Sequence, residues 1–191
     1  IKATTAIKTQ AYASVEDYVK ASLDALHIII EQVGGIGTIK AMGIGAPNGN
    51  YYKGTIEFAP NLAWGHNGVV PLAEMFSEGL GGIPVALTND ANAAAIGEMT
   101  YGVARGMKNF IVITLGTGVG SGIVINGQVV YGSDGFAGEL GHVIAQREGG
   151  RSCGCGRFGC LETYCSATGV ARSAREFLEK TTTPSVLRDL K

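Results

Sequence analysis

Apolar side chains first recur at helical spacing at Val15, Val19, Leu23, Leu26, Ile30 and Val33. Steps of three and four residues line one face of a helix. Ser14 precedes the run as a capping residue and Gly34-Gly35 follows it as a stop, so a helix is predicted between them. Pro71 is read as the first residue of a second helix, with Leu72, Met75, Phe76 and Leu80 on one side. "IKAMGIGAP" and "GIPVALTN" are short apolar runs closed by turn residues, the pattern of buried strands. "DANAAAIGEMTYG" reads as a helix ending in glycine. "KATTAIKTQ" alternates weakly and is rich in Thr and Ile, so it is expected to be an opening strand.

The pattern changes near Gly106. "NFIVITLG" and "SGIVINGQVVYG" alternate with period two around a glycine turn, and Asn126-Gly127 predicts a second hairpin. Ser166 is expected to start a last helix running to about Lys180. Strands alternating with helices, then a β-rich stretch, predict an α/β protein of two lobes with a cleft between them. The expected division is 1–105 and 106–191.

Composition narrows the classes. The chain has 191 residues with 15 Lys+Arg against 16 Asp+Glu, a formal net charge of -1. A dedicated nucleic-acid surface would show a basic excess. No apolar run approaches the roughly 20 residues that span a bilayer, "LHIII" being the densest. The opening "IKATTAIKTQ" has no charged segment leading into an apolar one, so a cytoplasmic location is expected. Clustered cysteines in that compartment favour metal ligation or free thiols over disulfides.

Four stretches carry candidate chemistry. In "GELGHVIAQREGGRSCGCGRFGC", Cys153, Cys155 and Cys160 are interleaved with glycines, and His142 lies eleven residues upstream. A Cys3His donor set suits a closed, structural zinc site. Cys165 falls outside the spacing and reads as a small core residue. Asn89 and Asp90 lie where a buried strand gives way to a helix, the end of an α/β sheet at which ligands bind. From these residues alone Asp90 is either a helix cap or a general base for a substrate hydroxyl. "LGTGVGSG" offers Gly116, Thr117, Gly118 and Gly120 either as a tight hairpin or as a cradle of N–H groups for an anion. It lacks the lysine of a Walker A loop. Glu139 and Glu162 flank the cysteine loop, where a bound metal would hold them rigid; unclamped, they are solvated acids. Asn61 of "PNLAW" is a candidate loop contact, whereas His27, His66 and Trp64 carry no ligand spacing.

Taken together, these stretches resemble the ROK family of bacterial sugar kinases and sugar-responsive repressors, more particularly its glucokinases. "GELGH" followed by "CGCGRFGCLE" is the most specific part, with "TNDANAAAIGE" and "LGTGVGSGIVINGQVVYGSDGFAGELGH" agreeing in order and spacing. The resemblance implies an actin-like ATPase fold of two ribonuclease-H-like lobes. It implies Asp90 as catalytic base beside Asn89, which contacts the sugar. Glu139, His142 and Glu162 would hydrogen-bond sugar hydroxyls, and "GTGVG" would be the second phosphate-binding turn. His142, Cys153, Cys155 and Cys160 would be the zinc ligands. The implied reaction is ATP- and Mg-dependent phosphorylation of a hexose, glucose first, at its 6-hydroxyl.

Neither the family's opening D-x-G-G-T hairpin nor the segment in which it closes its adenine site is in this sequence, so the chain is expected to be truncated at both ends, and inactive as 191 residues. A homodimer is implied. The alternative is a ROK-type repressor, which would contact nucleic acid through a helix-turn-helix preceding this chain.

Overall fold

In the computed structural model, which describes residues 1–189, an alanine-rich helix lies between two sheets. This is α3 (Asp90–Tyr101). On one side is a parallel pair, β1 (Met42–Gly45) and β5 (Val85–Thr88), in the register Met42↔Val85 to Gly45↔Thr88. On the other is an antiparallel sheet of β6 (Phe110–Leu115), β7 (Val119–Ile125) and β8 (Gln128–Val129). A Cβ on Gly45 would come within 2.8 Å of the Ala93 Cβ, and one on Gly122 within 2.6 Å of the Ala95 Cβ. Small residues on both partners are therefore what let backbone approach backbone. Ala91 and Ala95 are buried, and the helix shows little amphipathic contrast because both its sides meet protein.

Two further helices share a core with the first sheet. α1 (Val15–Gln32) begins at Ser14, whose hydroxyl accepts the Asp17 N–H at 3.1 Å. It ends as Gly34 and Gly35 turn left-handed, at φ 104° and 80°, the conformation that stops helices. α2 (Leu72–Gly79) follows Pro71 and buries Leu72 and Phe76, with Leu80 just beyond its end. Val19, Ile56, Leu72, Phe76 and Leu87 belong to one core cluster. Each such side chain contributes about 1.5–3 kcal/mol by leaving water. Asn126 (φ 53°) and Gly127 (φ 76°) form the expected hairpin between β7 and β8.

Two features depart from the sequence pattern. The expected opening strand is absent: residues 1–8 have no regular structure, and Thr9–Ala11 form a single 3-10 turn. Thr/Ile alternation makes a strand only when a neighbouring ladder accepts it, and β1 pairs with β5 alone. Ile1, Lys2 and Ala3 instead border an apolar hollow shared with Leu26, Ile30 and Met42. A small third sheet was not anticipated. It comprises β2 (Gly49–Asn50), β3 (Thr55–Glu57) and β4 (Val69–Val70), strands too short to show a period.

After β8 the chain makes a long loop through the cysteines. A four-residue helix α4 (Glu162–Cys165) and α5 (Ala167–Glu179) follow, the latter capped by Ser166 accepting the Gly169 N–H. No helix among the described residues is long and apolar enough to cross a membrane.

Candidate functional site

Asp90 enters the site because α3 starts at the carboxyl end of β5. Asn89 caps the helix by accepting the Ala91 N–H at 2.8 Å, and Asp90 is its first helical residue. One Asp90 oxygen, Oδ1, shares that N–H at 2.9 Å. Capping thus rests on Asn89, and the second Asp90 oxygen has no hydrogen-bond partner within the described residues.

Opposite Asp90 the segment from Gly138 to His142 runs along β7. A Cβ on Gly138 would stand 3.0 Å from the Ser121 carbonyl oxygen, and one on Gly141 would collide with that of Val119. The Ser121 hydroxyl donates to the Gly138 carbonyl. These contacts fix a 3-10 turn, Leu140–His142, with Glu139 at its start and His142 at its end. The glycines of "GELGH" are therefore where the backbone touches a strand, and the residues between them are carried into the cleft.

Glu162 arrives from α4. Its Oε2 accepts the Val119 N–H at 3.0 Å, while its Oε1 lies 3.7 Å from the Cys153 thiol. The turn Gly116–Gly118 joins β6 to β7 through a hydrogen bond from the Gly116 N–H to the Gly118 carbonyl.

All these groups line one cleft of about 460 Å3. Asn89, Asp90, Glu139, His142 and Glu162 border it, as do Gly116, Thr117, Gly118 and Gly120. Asn61 reaches it from the loop after β3. Every residue singled out as a substrate or phosphate contact borders this one space. Glu139 reports the shared field. Burial raises its carboxyl above the ordinary carboxylate value, His142 lowers it, and the charges of Asp90 and Glu162 raise it further.

Asn48 and Thr114 also border the cleft and were missed. Asn48 is left-handed, with φ 53°, and its side-chain amide donates to the Glu57 carbonyl at 2.9 Å and to that of Phe58 at 3.2 Å. It ties down the loop that carries Asn61. Asn48 stands between Pro47 and Gly49, a turn composition, but only the fold shows what the amide holds.

The cysteine loop closes behind the cleft. The donor atoms of His142, Cys153, Cys155 and Cys160 all lie within 4.8 Å of one another. The Cys155 and Cys160 sulfurs are 3.6 Å apart, and His142 Nδ1 is 3.7 Å from the Cys153 sulfur. A tetrahedron with metal–sulfur bonds of about 2.3 Å has edges of about 3.8 Å, which these two separations match, and the wider spread of the set needs only a small contraction to suit a zinc-sized ion. Burial pushes the Cys153 thiol up to about 12, whereas hydrogen bonding from the Arg157 backbone holds the exposed Cys155 down at about 6. Cys165 stands apart, its thiol donating to the Leu161 carbonyl at 3.3 Å.

Known proteins resemble this chain over most of its length. A glucokinase of Halalkalibacterium halodurans is 48% identical over 136 residues, 71% of this chain and 40% of its own length. A putative xylose repressor of a Caldicellulosiruptor species is 38% identical over 155 residues, 75% of this chain and 36% of its own. The chain thus spans less than half the length of these relatives. The crystal structure of a ROK family glucokinase from Streptomyces griseus, in complex with glucose and AMPPNP, matches with a TM-score of 0.69 and 38% identity. That match covers 89% of this chain and 52% of the other. The fold is accordingly the two-lobed, actin-like ATPase fold of these kinases, of which the chain covers about half. The model of the ROK family matches residues 2–190, and the chain belongs to that family.

Proposed function

We propose that the full-length protein transfers the γ-phosphoryl group of MgATP to a hydroxyl of a hexose, with glucose and its 6-hydroxyl the first candidates. The observation that carries this reading is the single cleft in which Asp90, Glu139, His142 and Glu162 face a glycine turn. Acids and an imidazole can accept hydrogen bonds from several hydroxyls at once, the requirement for seating a sugar. A glycine turn offers N–H groups to a phosphate.

In this reading Asp90 Oδ2 takes the proton of the attacking hydroxyl. The oxygen forms a bond to the γ-phosphorus, the bond to ADP breaks, and the proton remains on Asp90 until released to water. Gly116, Thr117, Gly118 and Gly120 hold the phosphates, and Asn61, Asn89, Glu139, His142 and Glu162 hold the sugar. Positioning both reactants supplies much of the rate.

His142, Cys153, Cys155 and Cys160 would hold zinc, whose part is to lock the loop. With His142 Nδ1 turned to the thiols, its Nε2 is the nitrogen left for a hydroxyl. The test is a coupled ADP-release assay of the full-length protein over a panel of hexoses. Turnover on glucose is expected, and no ADP release with any hexose would overturn the reading.

The likeness to the xylose repressor supports a second reading, sugar binding without turnover. Hexose binding that is indifferent to ATP would favour it.

A further inference from the structure

We propose that Arg151 is a positioning residue that fixes the sugar-side acid Glu162 and the glycine turn Gly116–Thr117 as one rigid unit; this rests on the phosphotransfer reading of the cleft. Arg151 does not line the cleft and is not one of the four donors, yet its side chain is only 9% exposed. A charge so far withdrawn from water needs partners, and three of its N–H groups have them.

Its Nη1 donates to the Thr163 carbonyl at 2.7 Å and to the Gly169 carbonyl at 3.2 Å. Its Nη2 donates to Glu176 Oε2 at 2.6 Å. The guanidinium lies 4.6 Å from the centroid of the Tyr164 ring, and the Arg151 backbone N–H donates to the Tyr164 hydroxyl at 2.9 Å. Through its own carbonyl, which accepts the Gly159 N–H at 2.8 Å, it belongs to the folded cysteine loop. One planar fork thus staples that loop to the corner between α4 and α5.

That corner depends on such a staple. α4 has four residues, so only its Glu162 carbonyl takes a helical bond, from the Ser166 N–H at 3.1 Å, and the Thr163 carbonyl is left to Arg151. α5 packs backbone to backbone upon it at Gly169, where a Cβ would stand 2.8 Å from the Thr163 carbonyl carbon. Arg151 bonds both elements at this contact. Lysine, with a single ammonium and no plane to stack, cannot reproduce the geometry.

The corner reaches both halves of the cleft. Glu162 opens α4 and accepts the Val119 N–H. Ala167, opening α5, donates its N–H to the Gly116 carbonyl at 2.9 Å, and the Thr168 hydroxyl donates to the Thr117 carbonyl at 3.4 Å. Moving the corner moves the acid and the turn together. Asp90 stands on α3, outside this connection.

The experiment compares Arg151→Met and Arg151→Lys with the zinc-loaded, full-length wild type, by steady-state kinetics and by backbone amide hydrogen exchange below the unfolding temperature. In Arg151→Met the KM for hexose and the KM for ATP are expected to rise together, each by about tenfold or more. Zinc content is expected to stay at the wild-type value, and the Val119 and Ala167 amides to exchange faster. Arg151→Lys, which keeps the charge, should show the same pattern more mildly and carries the test if the methionine variant does not fold. Glu176→Gln, which leaves both carbonyl bonds in place, should stay within about twofold of wild type. Unchanged KM values, a rise in one KM alone, or full protection of both amides overturns the proposal. A wild type without hexokinase turnover would instead sink the phosphotransfer reading, and the exchange data would still decide whether Arg151 holds the corner.

Discussion

The Glu162 carboxylate holds the Val119 backbone N–H at 3.0 Å across 43 residues of sequence. An acid at the edge of the cysteine loop and the first strand residue after the glycine turn are therefore one piece of structure. Gly118 has to be glycine for this to happen, since a Cβ there would run into the same carboxylate. With the Ala167 N–H on the Gly116 carbonyl at 2.9 Å, the turn is gripped from both sides. A cleft built this way has its polar groups fixed before a substrate arrives, which lowers the entropy lost on seating one.

Asp90→Asn tests the base directly. Asn keeps the size and the acceptor oxygen that shares the Ala91 N–H, so the helix start should survive. What it loses is a place for the hydroxyl proton. Turnover of the full-length protein is expected to fall by about 10²–10⁴, with hexose affinity by calorimetry within a few-fold of wild type. Wild-type kcat in the variant would remove Asp90 from the mechanism.

Gly141→Ala tests the close approach of the Glu139–His142 turn to β7. The added methyl has no room beside the Val119 carbonyl, so either the turn or the strand end must shift. The expected cost is about 1–3 kcal/mol of stability, read by urea unfolding. Because Glu139 and His142 ride on this turn, hexose KM should rise as well. Wild-type stability and KM would mean that the contact relaxes without consequence.

Much of this architecture was readable from spacing. The run from Val15 to Val33 predicted α1, and "ING" predicted the β7–β8 hairpin, because each signal is local. The donor cluster was readable too, since its residue types are rare and close in sequence. Other features depend on tertiary partners. The opening Thr/Ile alternation gave a false strand because no ladder receives it. The strands of the β2–β3–β4 sheet are too short to show alternation. Alanines 91, 93 and 95 were seen as a helix, but not as a wedge matched to Gly45, Gly120 and Gly122 across two sheets. Arg151 gave no signal, because an arginine beside two glycines reads as a solvated loop until Thr163, Gly169 and Glu176 surround it.

Glu57→Gln should change how stability responds to acid. Glu57 Oε1 accepts from Lys53 Nζ at 2.9 Å, Thr55 Oγ1 at 3.0 Å and Asn50 Nδ2 at 3.2 Å. The bond to Lys53 leads in holding its carboxyl below the ordinary value of 4.5, with burial opposing. A depressed folded-state value means that the folded form holds its proton less tightly than the unfolded form. The stabilisation is therefore complete above the unfolded value and is lost as pH falls through the folded one. Melting temperature against pH should lose part of its acid slope below pH 4.5 in the glutamine variant, and stability near neutrality should drop. An unchanged acid limb would show that these contacts leave the carboxyl unperturbed.

Cys155→Ser tests whether the cluster holds metal and whether the metal shapes the cleft. Cys155 is exposed, so its thiol adds little to the core, and a loss of stability that accompanies loss of metal points to the ion. The wild type is expected to carry about one zinc per chain and the variant close to none. Melting temperature should fall, and hexose affinity should fall with it, because His142 belongs both to the donor group and to the cleft. Cys165→Ser is the matched control. Among the described residues that thiol's one hydrogen bond is to the Leu161 carbonyl, at 3.3 Å, which a serine hydroxyl can also make, so zinc, stability and sugar affinity should all persist. Metal analysis by mass spectrometry separates the two variants. Wild-type protein free of zinc, or a Cys155→Ser variant with undiminished hexose affinity, would detach the cysteine loop from the chemistry of the cleft.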